Sequence, residues 1–446
     1  MTLSRVQSQP QSQSEPSIQK KVVVAACFGT FLEWYDFLTF ASLATYFGSL
    51  FFPSDDPVAA LLASLGTFGV GMVVRPLGAA LFGSLGDRHG RRTIFLVTIV
   101  LMGLSTVGVG LLPTYAQAGL LAPALLLLLR MLQGLSVGGE IGGAAVYLTE
   151  HAPTGRRGLY TSVLQLMGPL GMLASTLQIV ALQHFLPEAD FLAWGWRIPF
   201  LLSAVLLAVS IKSRMNLHES PVFQQLRARK GVAKAPLKDC LTDRHTLGRM
   251  GLLFFCISSG GSLLFFSSQV YTTVFLKTAV GLDAPTASFL VMLSTLALFP
   301  LTIFCGWLSD RIGRRPILLA GLVLGALTIF PIFQGLLHFG APDHLDKAMV
   351  FLLLLVLVVA LACITGPQTA TLAELFPART RYTAVALPHN LSAGWIGGMS
   401  PLVVTWLGVH FGNPLAGLAY PTALLVLAAV VGLRFLPEIK DRPLDE

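Results

Sequence analysis

The sequence predicts an all-α integral membrane protein, with twelve transmembrane helices arranged as two pseudo-symmetric six-helix bundles. Three observations carry that prediction. Hydrophobic residues make up 54% of the 446 residues and charged ones only 12%, with a mean hydropathy of +0.73, whereas a soluble domain carries roughly a quarter charged residues. Apolar runs of about 20 residues, the length that crosses a hydrocarbon core of ~30 Å, recur from Lys21 to Phe435. A pair of charged loops also recurs at an offset of half the chain.

Taken in order, the runs place spans at about 21–51, 57–82, 92–111, 119–148, 159–185, 192–211, 250–276, 286–308, 317–337, 348–372, 381–411 and 415–435. This divides the chain into a polar tail (1–20), a first bundle (21–212), a basic linker (213–249), a second bundle (250–435) and a short tail (436–446). The first 19 residues are rich in Gln and Ser and lack an apolar core, so they do not read as a cleavable leader. Span 1 is expected to target the protein itself. Cys27, Cys240, Cys256, Cys305 and Cys363 show no CxxC spacing and no obvious pairing, so neither a disulfide framework nor a metal site is indicated.

The net charge of +8 invites a nucleic-acid reading, but its placement argues against one. Of 30 Lys and Arg, 25 lie in the termini, in the loops that follow even-numbered spans, or at the span ends beside them. Lys277 and Lys347 fall in the opposite loops, which instead carry Asp55, Asp56, Glu188, Asp190, Asp283, Asp343 and Asp346. Arg75, Arg130 and Arg197 sit within spans. By the positive-inside rule both termini are cytoplasmic. The basic balance is topology.

Residues Gly83 to Arg92 read GSLGDRHGRR and Gly306 to Arg315 read GWLSDRIGRR, 223 positions apart. Glu150 to Arg157 (EHAPTGRR) matches Glu374 to Arg381 (ELFPARTR) at an offset of 224. Two matched loops at one offset indicate duplicated six-span halves. Parallel repeats of this kind place a solute site between the halves, near the membrane midplane. In the first loop the glycines at 83, 86 and 90 are expected to let two helices meet at a tight turn. Asp87 is expected to accept hydrogen bonds at a neighbouring helix N-terminus, where an anion is favoured by ~0.3–1 kcal/mol.

The duplicated loops resemble the signature loop of the major facilitator superfamily. Further segments resemble its metabolite–proton symporter branch: FLEWYDF at 31–37, VRPLG at 74–78, RMLQGLSVGGE at 130–140 and WGWRIPF at 194–200. Members of that branch carry citrate, 2-oxoglutarate, shikimate or zwitterionic osmolytes such as proline and betaine. The resemblance implies a multi-pass protein of the bacterial inner membrane, without cofactors. It also implies that Gly83, Asp87, Arg88, Gly90 and Arg91, with their repeats Asp310, Arg311 and Arg314, form a latch that closes one side of the membrane while the other is open.

Charge inside the bilayer narrows the chemistry. Glu33 and Asp36 share one face of span 1 at i, i+3, and Glu33 lies 12 residues beyond Lys21, which is ~18 Å along a helix. A carboxylate at that depth faces a cavity or a partner. Balanced between desolvation and a neighbouring arginine, it binds a proton on one side and releases it on the other; the bland alternative is a permanent ion pair. Arg75, beside Pro76, is the candidate partner, or the ligand of a solute carboxylate. Arg130 and Arg197, with Tyr35, Gln165, Tyr271 and Asn390, complete the expected substrate set. Glu140 and His389, a side chain able to titrate near neutral pH, complete the proton-coupling set with Glu33 and Asp36.

Three intramembrane arginines favour an anion. The expected function is therefore proton-coupled symport (sodium being the other candidate ion) of a small organic acid such as a di- or tricarboxylate. Symport of a proline- or betaine-type osmolyte is the alternative, and drug–proton antiport, suggested by GPLG at 168–171, is a weaker one. The few residues after Phe435 favour a metabolite over an osmolyte, and the VYTT and IGRRP segments at 270–273 and 312–316 resemble citrate-type carriers. No GxxxxGK[ST] occurs, which argues against an ATP-driven pump. The loops show no catalytic constellation, so no enzyme is expected.

Overall fold

The computed structural model describes residues 16–53, 57–215, 217–440 and 442–444. Asp55, Asp56 and the polar first 15 residues lie outside them. Among the described residues, eleven helices are long and apolar enough to cross a membrane. The first half holds α1 (Pro16–Phe51), α2 (Pro57–His89), α3 (Arg91–Leu111), α4 (Leu121–His151), α5 (Arg157–Phe185) and α6 (Gly195–Met215). The second holds α7 (Arg244–Thr278), α8 (Ala284–Ile312), α9 (Arg314–Phe339), α10 (Lys347–Glu374) and α12 (Ala416–Phe435). The twelfth passage, α11, is interrupted: Arg381–Leu391, a wide π-type turn at Ser392–Gly397, then Ser400–His410. α7 carries two such turns, at Leu253–Ser258 and Phe266–Tyr271. Wide turns of this kind loosen a helix and are frequent at functional sites.

The helices overrun the expected span ends. GSLGDRHGRR is not a loop: residues through His89 are the last turns of α2, and α3 starts at Arg91. Only Gly90 makes the turn, with φ 113°, and Gly313 repeats it with φ 108°. That backbone region is open mainly to glycine. Gly83 and Gly86 have a different task from the one expected. A Cβ at Gly83 would lie 3.0 Å from Thr383 Cα, and one at Gly86 would overlap the Tyr382 ring. They let the start of α11 seat directly on α2. α6 likewise continues to Met215, so Arg214 is fully buried and not a linker charge. Of the residues that follow, Pro221–Ala228 and Pro236–Thr242 form short helices.

Large apolar side chains such as Leu77, Leu177, Phe185 and Leu327 are more than 60% exposed, so the outer wall of the bundle is built for lipid rather than water. Cores form within each half, and a smaller one of Ala79, Phe82, Ile94, Tyr382 and Ala386 joins the halves. α2 and α4 touch backbone to backbone, because Gly134 abuts the Gly71 carbonyl and Gly138 the Arg75 carbonyl. Small-residue contacts of this kind let membrane helices approach closely.

Candidate functional site

A cavity lies between the two halves at mid-depth, with about 90 Å³ of space for water-sized molecules. Thr30 and Trp34 of α1, Arg75 of α2 and Gln165 of α5 face Ser262, Phe265 and Phe266 of α7, Gln368 and Thr369 of α10 and His389 of α11. The Trp34 and Phe265 rings meet across the halves at 5.5 Å, and Phe266 stands edge-on to Phe265. Gln165 Nε2 donates to Gln368 Oε1 at 3.3 Å and Thr369 Oγ1 at 3.1 Å, also across the halves. His389 Nδ1 pairs with Ser258 Oγ at 3.0 Å.

Arg75 is the wall between this cavity and a smaller chamber inside the first half. The chamber is lined by Glu33, Asp36, Phe37, Met102, Arg130 and Gln133, among others. Arg75 Nη2 is 3.6 Å from Glu33 Oε1, its Nη1 points at Met72 Sδ, and its Nε donates to Asn390 Oδ1 at 3.3 Å. Asp36 Oδ1 accepts from Ser203 at 2.5 Å, and Gln133 donates to Thr106. The Arg130 guanidinium stacks on Phe40. Among the described residues, Glu33 Oε2, Asp36 Oδ2, Arg75 Nη2, Arg130 Nη2 and Gln133 Oε1 are buried without a hydrogen-bond partner. The chamber offers about 20 Å³, where a single water needs ~10–15 Å³ and two to four polar partners. The arrangement suits water and a mobile proton, with two carboxylates and two guanidiniums in place of an oxygen cage for a metal cation.

Several expected site residues sit elsewhere. Arg130 faces the chamber, not the cavity between the halves. Arg197 is held near the far end of α3 by the carbonyls of Gly110 and Leu112 and lies over Trp196, so it is a packing residue there. The Tyr35 hydroxyl bonds Gln178 within the first half. Tyr271 packs on Phe275 and Phe333, with its hydroxyl 3.5 Å from the Pro414 carbonyl. Glu140 is locked in an ion pair with Arg214, which also donates to the Phe95 carbonyl, while Thr98 donates to Glu140 at 2.8 Å. Asn390 lies behind Arg75 instead of lining the cavity.

The duplicated loops build one device twice, at the end of the bundle that gathers the basic residues. Asp87 accepts from the Tyr382 and Thr383 backbone N–H groups at 3.2 and 2.9 Å, and from the Thr383 hydroxyl. Asp310 accepts from the Gly158 and Leu159 N–H groups at 2.8 Å. Each aspartate thus caps a helix of the opposite half. Glu150 joins Arg91 of its own half to Arg381 of the other, at 3.4 and 2.9 Å. Glu374 joins Arg314 to Arg157 in the same way, at 3.1 and 3.4 Å. Arg88 and Arg311, expected in this latch, are exposed and outside it. They follow the capping aspartates directly, and one helical position turns the side chain by about 100° away from the aspartate's face. Glu219 accepts from the Arg91 and Arg92 N–H groups, and Glu438 from those of Arg314 and Arg315. Burial pushes the Glu438 carboxyl up, but the N–H groups of Arg314, Lys440, Arg315 and Ile439 outweigh it and hold it below the usual carboxylate range.

Sequence reading missed Trp34, Phe265, Phe266, Gln368 and Thr369 because aromatic and amide residues in an apolar run look like packing. It missed Arg214 because it stands beside basic loop residues. Glu150 and Glu374 carried a signal in their matched offset, which pointed to the duplication and not to the bridge.

Comparison with known proteins agrees with this architecture. The sequence profile of the family described as sugar (and other) transporters matches residues 22–246 and again 239–446. The inner membrane metabolite transport protein YhjE of Escherichia coli (strain K12) is 38% identical over 423 residues, 94% of this chain and 93% of that one. The proline/betaine transporter of Escherichia coli (strain K12) is 34% identical over 439 residues, 95% of this chain and 85% of the relative. Among solved structures, the proton:xylose symporter XylE bound to 6-bromo-6-deoxy-D-glucose superposes with TM-score 0.75 at 21% identity, covering 96% of this chain and 98% of that chain. The inward open conformation of the xylose transporter XylE from E. coli superposes with TM-score 0.60 at 20% identity, over 96% and 98% of the two chains. At those identities the likeness speaks for the fold alone. The profile match across both halves and the relatives above 30% identity decide the family: this chain belongs to the sugar (and other) transporters of the major facilitator superfamily, and is a secondary transporter.

Proposed function

We propose that this transporter is a proton-coupled symporter of a small zwitterion, a solute with one carboxylate and one cationic group of the proline or betaine type. One observation carries the reading: among the described residues, the cavity between the halves is lined by a single guanidinium, Arg75, together with the aromatic corner of Trp34, Phe265 and Phe266. A guanidinium fork suits one carboxylate, and aromatic faces suit an alkylated ammonium. A di- or tricarboxylate asks for more positive charge. The two further arginines that favoured it in the sequence are engaged elsewhere, Arg130 in the chamber and Arg197 on the α3 carbonyls. The relative that transports proline and betaine fits the same choice.

Coupling follows from the shared wall. A solute carboxylate drawn to Arg75 competes with Glu33 for it, which favours a proton on the chamber carboxylates; once the solute leaves, the proton is released. Among the described residues, the hydrogen bonds and ion pairs that join the halves lie at cavity depth or towards the basic end. That corresponds to an outward-facing state, with the basic end and both termini in the cytoplasm of a bacterial inner membrane, as the charge bias requires.

The test is uptake into proteoliposomes under an imposed pH gradient, with proline, betaine, mono-, di- and tricarboxylates and xylose as solutes. Zwitterions should accumulate only with the acidic side outside. Arg75→Lys, which keeps charge but loses the fork, should weaken their binding about tenfold, the worth of one charge-assisted hydrogen bond. Preferential uptake of a tricarboxylate or of xylose would sink the zwitterion reading, and uptake indifferent to the pH gradient would sink the coupling.

A further inference from the structure

Asn390 is fully buried where the start of α11 crosses α2 and α4, and its amide makes three hydrogen bonds. Nδ2 donates at 2.9 Å to the Gly138 carbonyl of α4 and at 2.9 Å to the Ala386 carbonyl of its own helix. With both donors committed to carbonyls, Oδ1 is the only atom left to face Arg75 Nε, so the amide has one workable orientation. Gly138 makes this possible. Lacking a side chain, it lets the Arg75 backbone press against α4 and leaves its own carbonyl open to the other half.

Two of the three bonds of Asn390 therefore cross between the halves, and one of them ends on the arginine that divides the solute cavity from the carboxylate chamber. Further along the same helix segment, its first residues Tyr382 and Thr383 sit on Asp87, and Arg381 on Glu150. The wide turn at Ser392–Gly397 follows directly. Arg381–Leu391 is thus a short rod with the basic-end latch at one tip and Arg75 at the other.

We propose that Asn390 is a positioning residue rather than a solute ligand: it ties Arg75 to the latch, so that what Arg75 pairs with decides whether the basic end stays closed. The inference rests on the coupling reading above. With Arg75 held by Glu33 and Asn390, the rod is pinned and the latch closed. When a solute carboxylate and a proton on Glu33 turn the guanidinium into the cavity, the bond to Asn390 is lost and the rod is free to leave α4. The charged and titratable groups around Arg75 are Glu33 and Asp36 of α1, Arg130 and Glu140 of α4, Arg214 of α6 and His389 of α11.

The gate can be read without assuming a solute. Arg88 and Arg311 are exposed, lie on opposite halves at the basic end and stand outside the latch. Spin labels at Arg88→Cys and Arg311→Cys, with the five native cysteines replaced, report the opening as a distance. In the parent protein the closed population should fall on acidification, and fall further with proline or betaine. In Asn390→Ala the distance distribution should no longer respond to pH or solute, while solute affinity stays within about threefold, since no direct ligand bond is lost. Asn390→Asp keeps the shape and the acceptor for Arg75 but loses the donors to Gly138 and Ala386. By holding the guanidinium with a full charge it should keep the basic end closed at every pH and weaken solute binding about tenfold. This isosteric variant also covers the case in which Asn390→Ala does not fold.

A gate that responds normally in Asn390→Ala overturns the proposal. So does a parent protein whose gate ignores both pH and solute, or an Asn390→Ala variant that loses affinity more than about tenfold while its gate still responds, which would make Asn390 a ligand residue. If no zwitterion binds but the pH response is present and disappears in Asn390→Ala, the solute assignment fails and this inference stands.

Discussion

Among the carboxylate–arginine pairs of the first half, Glu140–Arg214 and Glu33–Arg75 differ in how completely they are satisfied. Glu140 and Arg214 meet side by side. Thr98 donates to the carboxylate, and the guanidinium adds the Phe95 carbonyl and a stack on the Phe95 ring. Glu33 and Arg75 stand 3.6 Å apart, and Glu33 Oε2 and Arg75 Nη2 have no hydrogen-bond partner among the described residues. In sequence the two glutamates look alike, each an acid deep in an apolar run. The difference teaches that burial alone does not mark a coupling site. A saturated pair has nothing to gain from a proton or a solute, whereas an unsaturated one does.

The comparison breaks most visibly on stability. Arg214→Ala strands a buried carboxylate and should cost about 3–5 kcal/mol, read as a large drop in thermal unfolding temperature in detergent. Glu33→Gln removes half of a loose pair whose partner keeps Asn390, and should cost far less. If the two variants unfold alike, saturation is not what separates the pairs.

Transport sharpens the same contrast. One proton per solute supports ~10-fold accumulation per pH unit, because one unit is 1.36 kcal/mol. Glu33→Gln or Asp36→Asn, or both, should abolish that accumulation while leaving solute exchange across vesicles intact. Glu140→Gln, where it folds, should keep gradient-driven accumulation. Accumulation that survives in both Glu33→Gln and Asp36→Asn would move the coupling out of the chamber.

The smallest effect is expected at Glu438, a saturated carboxylate outside the membrane spans. Its folded form titrates below the usual range, so its contribution is present above the ordinary carboxylate pKa of ~4.3 and is lost as pH falls through the lower folded value. Glu438→Gln should therefore lower stability slightly at neutral pH, and the difference from the parent should vanish in acid. A difference that persists at low pH would mean that Glu438 acts through packing and not through its charge.

Much of this molecule was legible in one dimension. The twelve passages follow from apolar runs as long as the bilayer is thick, because a buried backbone without water must bond within its own helix. The two-fold build follows from GSLGDRHGRR and GWLSDRIGRR, and from the glycine at 90 and 313 that only a left-handed turn explains. Glu33, Asp36 and Arg75 stood out because charge in an apolar run is costly enough to require a reason. Beyond the expected pairing of Arg75 with Glu33, partnership was not legible. Glu140 belongs with Arg214, 74 positions away, Arg75 with Asn390 at 315, and Asp87 with Thr383 at 296. Hydropathy is a local quantity, summed along a segment of chain. Whether a buried charge is saturated or left reaching into a cavity depends on which helices fold against it, and that is decided only by tertiary packing, within the first half for Glu140 and Arg214 and between the halves for Arg75 with Asn390 and Asp87 with Thr383.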